Sequence, residues 1–398
     1  MSLVVGLDIG TTKVCACVGK IRNDGKVEII GTGMKYCSGL HRGMVSNISQ
    51  TASSIEFAME KAQLMSGAKI DSAIIGISGS SVKGVTNPGM IAIKKERGIT
   101  RLDVNRVIET AKSSNILPDM EILHLLPQSF RVDGQDGIED PIGMIGTRLE
   151  TEVYIITARK TAIQNLKMCV EKAGLRVKDK PILSLLAGGE AVLSPDERNL
   201  GVALIDIGGG TTDMAIFVDG FLSDVYSLPI GGVNITRDIS IVLRTSLENA
   251  EKIKKEKGVC HSQFVREEEI TVQSIGQRDG QTIPYHALSE IIQSRMEEVF
   301  SLLDKELEQF KSKIGAGVVL IGGGSMLTGS VELSKEIFNL PVRLGIPQGI
   351  GGLVDAVSTP FYAVPVGLVI YGAKNFKKKI APKRVLGFLS WLKDFFGI

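Results

Sequence analysis

The sequence predicts an α/β fold of two similar halves facing one cleft, and three observations carry that expectation. The first is the stretch GLDIGTTK, Gly6–Lys13, a glycine turn that follows an apolar run. The second is its echo in ALIDIGGGTTDMAIFV, Ala203–Val218. The third is that the elements after each copy recur in the same order. One glycine-containing turn is more often a structural corner than a binding loop. Recurrence of the whole pattern argues for more: both copies run an apolar strand, Asp-Ile-Gly, one or more glycines and a Thr-Thr pair, then a second apolar strand.

Apolar runs bounded by turn residues read as strands over Leu3–Ile9, Lys13–Gly19 and Val27–Met34. A helix over Ser49–Met65 and a strand over Ser72–Ile77 follow. In the second half, strands over Val202–Ile207, Met214–Val218 and Phe221–Leu228 precede helices and a strand over Gly317–Ile321. Such halves set two phosphate hairpins across one cleft, where a nucleotide is expected. Glycines let backbone N–H groups approach an anion, threonine hydroxyls add donors, and an aspartate at a strand end can hold a hydrated divalent cation. Two further loops fit the same cleft. IGGVN, Ile230–Asn234, opens a helix, and VVLIGGGSML, Val318–Leu327, runs from a buried strand through three glycines toward another helix start. Helix N-termini after such turns attract anions through free N–H groups and the macrodipole.

A chain of 398 residues exceeds what one core normally serves, so several domains are expected. Hydrophobic content of 43%, charged content of 23% and 45 glycines describe an ordinary globular protein rich in turns. The start lacks a basic segment followed by an unbroken apolar one, so no export signal and a cytosolic location are expected. Cys15, Cys17, Cys37, Cys169 and Cys260 show no paired zinc spacing and are expected to be reduced core thiols. The last 25 residues carry seven of the 46 basic side chains and one of the 44 acidic ones, leaving the body mildly acidic. That excludes a broad nucleic-acid footprint and points to an anionic surface met at one end.

That end reads KNFKKKIAPKR, Lys374–Arg384, a basic connector with Pro382 as a break, and then RVLGFLSWLKDFFGI. Helical spacing gathers Val385, Phe388, Leu389, Leu392, Phe395 and Phe396 on one face, with Trp391 suited to the headgroup boundary. Such a helix is roughly 21 Å long, shorter than the ~30 Å hydrocarbon layer, so it can lie in a membrane interface without spanning it. A helix docked on the protein's own core is the alternative.

Together these residues resemble the actin, Hsp70 and sugar-kinase superfamily, with DIGTTK as first phosphate motif, DIGGGTTD as second and VVLIGGGSML as adenosine motif. GISGSSVKG (Gly76–Gly84), LPQSFRVDGQDGIEDPIGMIGTRLE (Leu126–Glu150) and the terminal RVLGFLSWLKDFFGI narrow the resemblance to the FtsA family of bacterial cell-division proteins, along essentially the whole chain. The resemblance implies an actin-like ATPase fold with two ribonuclease-H-like halves. Subdomain 1A would comprise residues 1–81, 158–198 and a return at 361–373. An inserted 1C would span 82–157, with its own helix over Leu102–Asn115. Subdomain 2A would comprise 199–236 and 290–360, and 2B 237–289. The basic linker would cover 374–384 and the membrane-targeting helix 385–398.

It implies ATP and Mg2+ as cofactors. Asp8, Gly10, Thr11, Thr12 and Lys13 would meet the phosphates from one side. Asp206, Gly208, Gly209, Gly210, Thr211 and Thr212 would meet them from the other, with Gly232 and Asn234 completing that side. Asp8 and Asp206 would hold magnesium through water. Gly322, Gly323, Gly324, Ser325 and Met326 would flank the adenosine. Glu248, Glu251, Lys252 and Lys255, at helical spacing within Thr245–Gly258, either contact ribose and adenine or form a solvated charged face.

Hydrolysing relatives carry an acidic or amide residue that orients water just before the position of Pro181, and this chain has Lys180 there. A protonated amine is no base for water, so nucleotide binding with slow turnover is expected. The resemblance further implies self-assembly into filaments on the cytoplasmic face of the membrane at the septum, contact with anionic lipid, and recruitment of later division proteins through 1C. It also implies capture of the C-terminal peptide of the tubulin-like protein FtsZ. Arg295, within IIQSRMEEVF, is the candidate contact, with a solvated helix arginine as alternative. A soluble sugar-kinase-like phosphotransferase and a pilus-assembly scaffold are the rival functions. An Hsp70-type chaperone would need a substrate domain that about 25 remaining residues cannot form.

Overall fold

The computed structural model describes residues 2–94, 97–112, 116–273 and 280–380, the last five without their side chains. The first half opens with an antiparallel meander of β1 (Ser2–Ile9), β2 (Lys13–Ile21) and β3 (Val27–Tyr36). A two-residue ladder of β4 (Leu40–His41) and β5 (Met44–Val45) carries Arg42 and Gly43 at its tip. Next comes α1 (Ile48–Ser66), capped by the Asn47 side chain and ended by left-handed Gly67. Its backbone lies directly on β3, where a Cβ on Gly33 would sit 1.9 Å from Ala58 O. β6 (Ser72–Ile77) then joins β1 in parallel.

The chain now leaves this sheet for a separate layer. β7 (Val82–Ala92), α2 (Arg101–Lys112), β8 (Met120–Val132), β9 (Gln135–Ile138) and β10 (Arg148–Arg159) form an antiparallel sheet in the order β7-β10-β8-β9, with α2 on one face. It has its own core around Val104, Val107, Phe130, Leu149 and Val153. The return to the first half runs through α3 (Lys160–Lys172), β11 (Arg176–Val177), β12 (Ile182–Leu183), α4 (Ser184–Val192) and α5 (Pro195–Leu200).

The second half repeats the meander as β13 (Val202–Ile207), β14 (Thr212–Val218) and β15 (Phe221–Leu228). There follow α6 (Gly232–Val242), α7 (Leu247–Lys257), β16 (Glu269–Val272), β17 (Gln281–Pro284) and α8 (Tyr285–Leu307). β18 (Val318–Ile321), α9 (Ser330–Phe338) and β19 (Val342–Leu344) complete this half. β20 (Ile350–Gly352) crosses back to pair with β3, and α10 (Val354–Val357) leads to α11 (Ala363–Ile380), which packs on α4 and β1. The runs β6-β1-β2-β3 and β18-β13-β14-β15 share order and direction, so the expected duplication is present.

The basic connector expected from Lys374 is helical at its start: Lys374–Ile380 continue α11, because nothing before Pro382 forbids a helix and Lys374 pairs with the buried Glu190 of α4. All five cysteines are buried and free. Among the described residues, no helix is long and apolar enough to cross a membrane. Val385, Phe388, Leu389, Trp391, Leu392, Phe395 and Phe396 lie outside the described residues.

Candidate functional site

Each meander turns at a four-residue tip closed by the same hydrogen bond: Gly10 N–H donates to Lys13 O at 2.8 Å, and Gly208 N–H to Thr211 O at 2.9 Å. Register makes Asp8 pair with Cys15 and Asp206 with Asp213. Thr11 and Thr12 are therefore equivalent to Gly209 and Gly210, not to Thr211 and Thr212, which correspond to Lys13 and Val14. The apparent match of the two Thr-Thr pairs is a sequence coincidence.

The tips abut. A Cβ on Gly209 would sit 2.3 Å from Thr12 Oγ1, and one on Gly210 would sit 2.5 Å from Thr11 Oγ1. Third position of one tip faces second position of the other, a local two-fold relation between the halves. The Thr11 hydroxyl oxygen accepts from Gly43 N–H at 3.0 Å, so the β4–β5 turn covers it. The Thr211 hydroxyl donates to Asp213 Oδ2 at 2.9 Å and that of Thr212 to Ile230 O at 2.9 Å, which commits both protons inside the protein.

Asp8 and Asp206 stand at the strand ends behind the tips. Burial pushes the Asp206 carboxyl up to about 7, and the neighbouring Asp213 and Asp8 add to that against the opposing charge of Lys13. Burial likewise raises Asp8 and Asp213, while it lowers Lys13 against the pull of Asp8 and Asp206. The Lys13 ammonium donates to Phe361 O at 3.0 Å and lies over the Phe361 ring. This crowd of carboxylates favours a cation. Among the described residues no three His, Cys, Asp or Glu side chains converge closely enough to ligate a metal by themselves, so such an ion would keep water or ligand oxygens in its shell.

The α6 N-terminus corrects one expectation. Gly232 N–H donates to Gly208 O at 2.9 Å and Val233 N–H to Gly209 O at 2.8 Å, so these groups hold the second tip instead of standing free for an anion. Asn234 reaches back to accept from Gly231 N–H at 3.2 Å, locking the helix start. Gly322 is left-handed, with φ 85°, and a Cβ there would lie 2.1 Å from Asp206 Oδ1; the adenosine-motif glycines thus abut the same aspartate. The Ser325 hydroxyl closes the Gly322–Met326 loop onto Gly322 O, Gly323 is open but for Phe361, Gly324 lies against Ile207, and Met326 is half-exposed.

On α7, Glu251 pairs with Lys254 and Lys255, whereas Glu248 and Lys252 are exposed. Lys255 reaches across to the first half, its ammonium 3.3 Å from the Tyr36 hydroxyl. Sequence reasoning missed Tyr36, Asp213 and Lys254, whose buried ammonium donates to Gly232 O at 2.9 Å. Asp213 had a signal, since it closes the second phosphate motif, DIGGGTTD. Lys180 is engaged by the insert: its ammonium donates to Ile122 O at 2.9 Å and pairs with Glu121 at 3.4 Å. Arg295 clamps Asp238 of α6 through two hydrogen bonds, at 2.7 and 3.0 Å, and pairs with Glu298. It lines a groove of about 470 Å³ between α6 and α8 that also contains the exposed Ile241 and Val242.

Two duplicated halves with abutting turns define an actin-like ATPase fold, a class whose members typically bind nucleotide. Solved structures agree on the fold. The PilM–PilN type IV pilus biogenesis complex matches with a TM-score of 0.65 and 17% identity, covering 93% of this chain and 98% of that one. MreB5 of Spiroplasma citri bound to ADP matches with a TM-score of 0.57 and 16% identity, covering 96% and 98%. The family description "Cell division protein FtsA" matches residues 203–367, and "SHS2 domain inserted in FTSA" matches residues 79–157. Cell division protein FtsA of Pseudomonas aeruginosa is 42% identical over 94% of this chain and 90% of its own length. That of Neisseria meningitidis is 43% identical over 91% and 88%. The chain belongs to the FtsA family of cell-division proteins.

Proposed function

We propose that this protein binds ATP with Mg2+ between its halves, polymerises on the cytoplasmic face of the cell membrane at the septum, and anchors FtsZ filaments there. The observation that supports the nucleotide part is the abutment of the two hairpin tips, with Asp8, Asp206, Asp213 and Lys13 gathered behind them. Gly10, Thr11, Thr12, Lys13 and Gly208–Thr212 cradle the phosphates, Asp8 and Asp206 hold the hydrated magnesium, and Gly322–Met326 flank the adenosine. The ion neutralises carboxylates that burial otherwise drives toward protonation. Glu248, Glu251, Lys252 and Lys255 line the nucleoside side, and Lys180, engaged by β8, leaves turnover slow.

The first half corresponds to subdomain 1A, the inserted sheet to 1C, which receives later division proteins, and residues 237–289 to 2B. The FtsZ C-terminal peptide lies in the groove of Ile241, Val242 and Arg295. Arg295→Glu abolishes peptide binding with nucleotide binding intact; unchanged peptide binding removes Arg295 from that role. The segment 385–398 supplies a modest lipid anchor, and a filament presenting many such segments gains avidity without any new contact. Sedimentation with anionic vesicles, with and without ATP, tests this by comparing the full chain with one ending at Ala373. Equal recovery of both would refute the anchor.

A further inference from the structure

The inserted sheet leaves and rejoins the chain within the first half, yet its base also grips the second. The Tyr154 hydroxyl on β10 donates to Asp224 Oδ1 at 3.2 Å, and Gln128 Nε2 on β8 donates to Leu222 O at 3.1 Å. Both acceptors lie on β15, the edge strand of the second-half sheet, which packs against β7 and β8. The lane for the phenol is reserved: a Cβ on Gly84 of β7 would sit 1.8 Å from the Tyr154 oxygen. Burial, with Asp224 alongside, keeps that phenol protonated and able to donate.

The same sheet is pinned to the first half. His124 Nε2 accepts from Leu183 N–H at 3.1 Å, and Lys180 holds Ile122 O. Its root also touches the site, since Gly79 N–H, three residues before β7, donates to Asp213 Oδ1 at 3.2 Å. A rotation of the halves that opens the tips must stretch one set of these bonds or the other.

We propose that the insert is a strut across the cleft, in which Tyr154 and Gln128 are positioning residues that couple its orientation to nucleotide occupancy. The proposal rests on the nucleotide reading above. By linkage, a protein that turns the insert alters nucleotide retention by the factor with which nucleotide alters that protein's binding.

The full chain tests it, as native, Tyr154→Phe and Gln128→Ala forms. A fluorescent ATP analogue with Mg2+ gives the release rate, and spin labels replacing the exposed Glu139 and Lys305 give the insert-to-second-half distance. Loss of a bond to a charged acceptor is expected to speed release about tenfold in Tyr154→Phe. The label distance should change with nucleotide in the native chain and lose that dependence in the variants. Gln128→Ala keeps the test open should Tyr154→Phe not fold. Binding by every form, with identical release and identical distances, overturns the strut alone. No binding by the native chain overturns the nucleotide reading and the strut with it.

Discussion

Replacing Asp206 with Asn tests the electrostatics of the site directly. The folded-state value of about 7, against 3.8 for the free side chain, means the nucleotide-free protein holds this carboxyl mainly protonated below about pH 7. The sign follows: the stabilising contribution is fully present below 3.8 and is lost as pH rises through about 7. That difference corresponds to about 4 kcal/mol, or about 3 after discounting for the partly open edge of the side chain. Asn has the same shape and does not titrate. Nucleotide-free Asp206→Asn should match the native protein at acid pH and exceed it by about 3 kcal/mol at pH 8, roughly 4 °C in Tm for a chain of this length. Thermal unfolding across pH 4.5–8 reads the difference curve. Magnesium–ATP should then stabilise the native chain and leave the variant unmoved. A variant no more stable than native at pH 8, or a difference that does not change with pH, would refute the claim that crowded carboxylates are waiting for a cation.

Gly209→Ala should weaken nucleotide binding about tenfold in titration calorimetry by driving a methyl into Thr12, and Thr12→Gly in the same chain should recover part of the loss. His124 titrates in the opposite sense to Asp206. Burial, helped by Lys180, lowers it from 6.5 to about 4, so its folded form refuses a proton that the unfolded chain accepts. Stability is complete above 6.5 and falls by about 3 kcal/mol as pH drops through 4. His124→Gln, which can still accept from Leu183 N–H, should remove that slope from a urea-unfolding series, and an unchanged slope would acquit His124.

Strands whose apolar runs end in glycine or aspartate were legible to within a few residues. Ser72–Ile77 and Val202–Ile207 stand where the sequence reading places them, since burial on both faces leaves a near-continuous apolar signature, and the half-buried edge strand Phe221–Leu228 is bounded by Gly220 and Pro229. What escaped depends on contacts between residues far apart in the chain. No local pattern announces that α6 donates its first N–H groups to Gly208 and Gly209, that Lys255 meets Tyr36, or that Lys180 answers to Ile122. The helical start of the connector escaped because lysine runs read as linkers, while a buried acceptor, Glu190, was waiting on another helix.

The misaligned threonines show why duplication should be read from register. Sequence similarity favours pairing Thr11-Thr12 with Thr211-Thr212, because the two dipeptides are identical and both follow Asp-Ile-Gly. The hydrogen bond from the first glycine fixes a different equivalence, one in which two threonines in one tip stand where two glycines stand in the other. The fold requires that inequality. Each tip meets its counterpart at van der Waals range, second position against third, so four threonine side chains would collide there and four glycines would leave a gap. A duplicated pair that closes tip to tip must therefore diverge in size at these two positions while keeping the aspartate and the glycine that precede them. The residues that make the halves look alike, Asp8 with Gly10 and Asp206 with Gly208, shape each strand end, and the residues that make them differ let the tips meet.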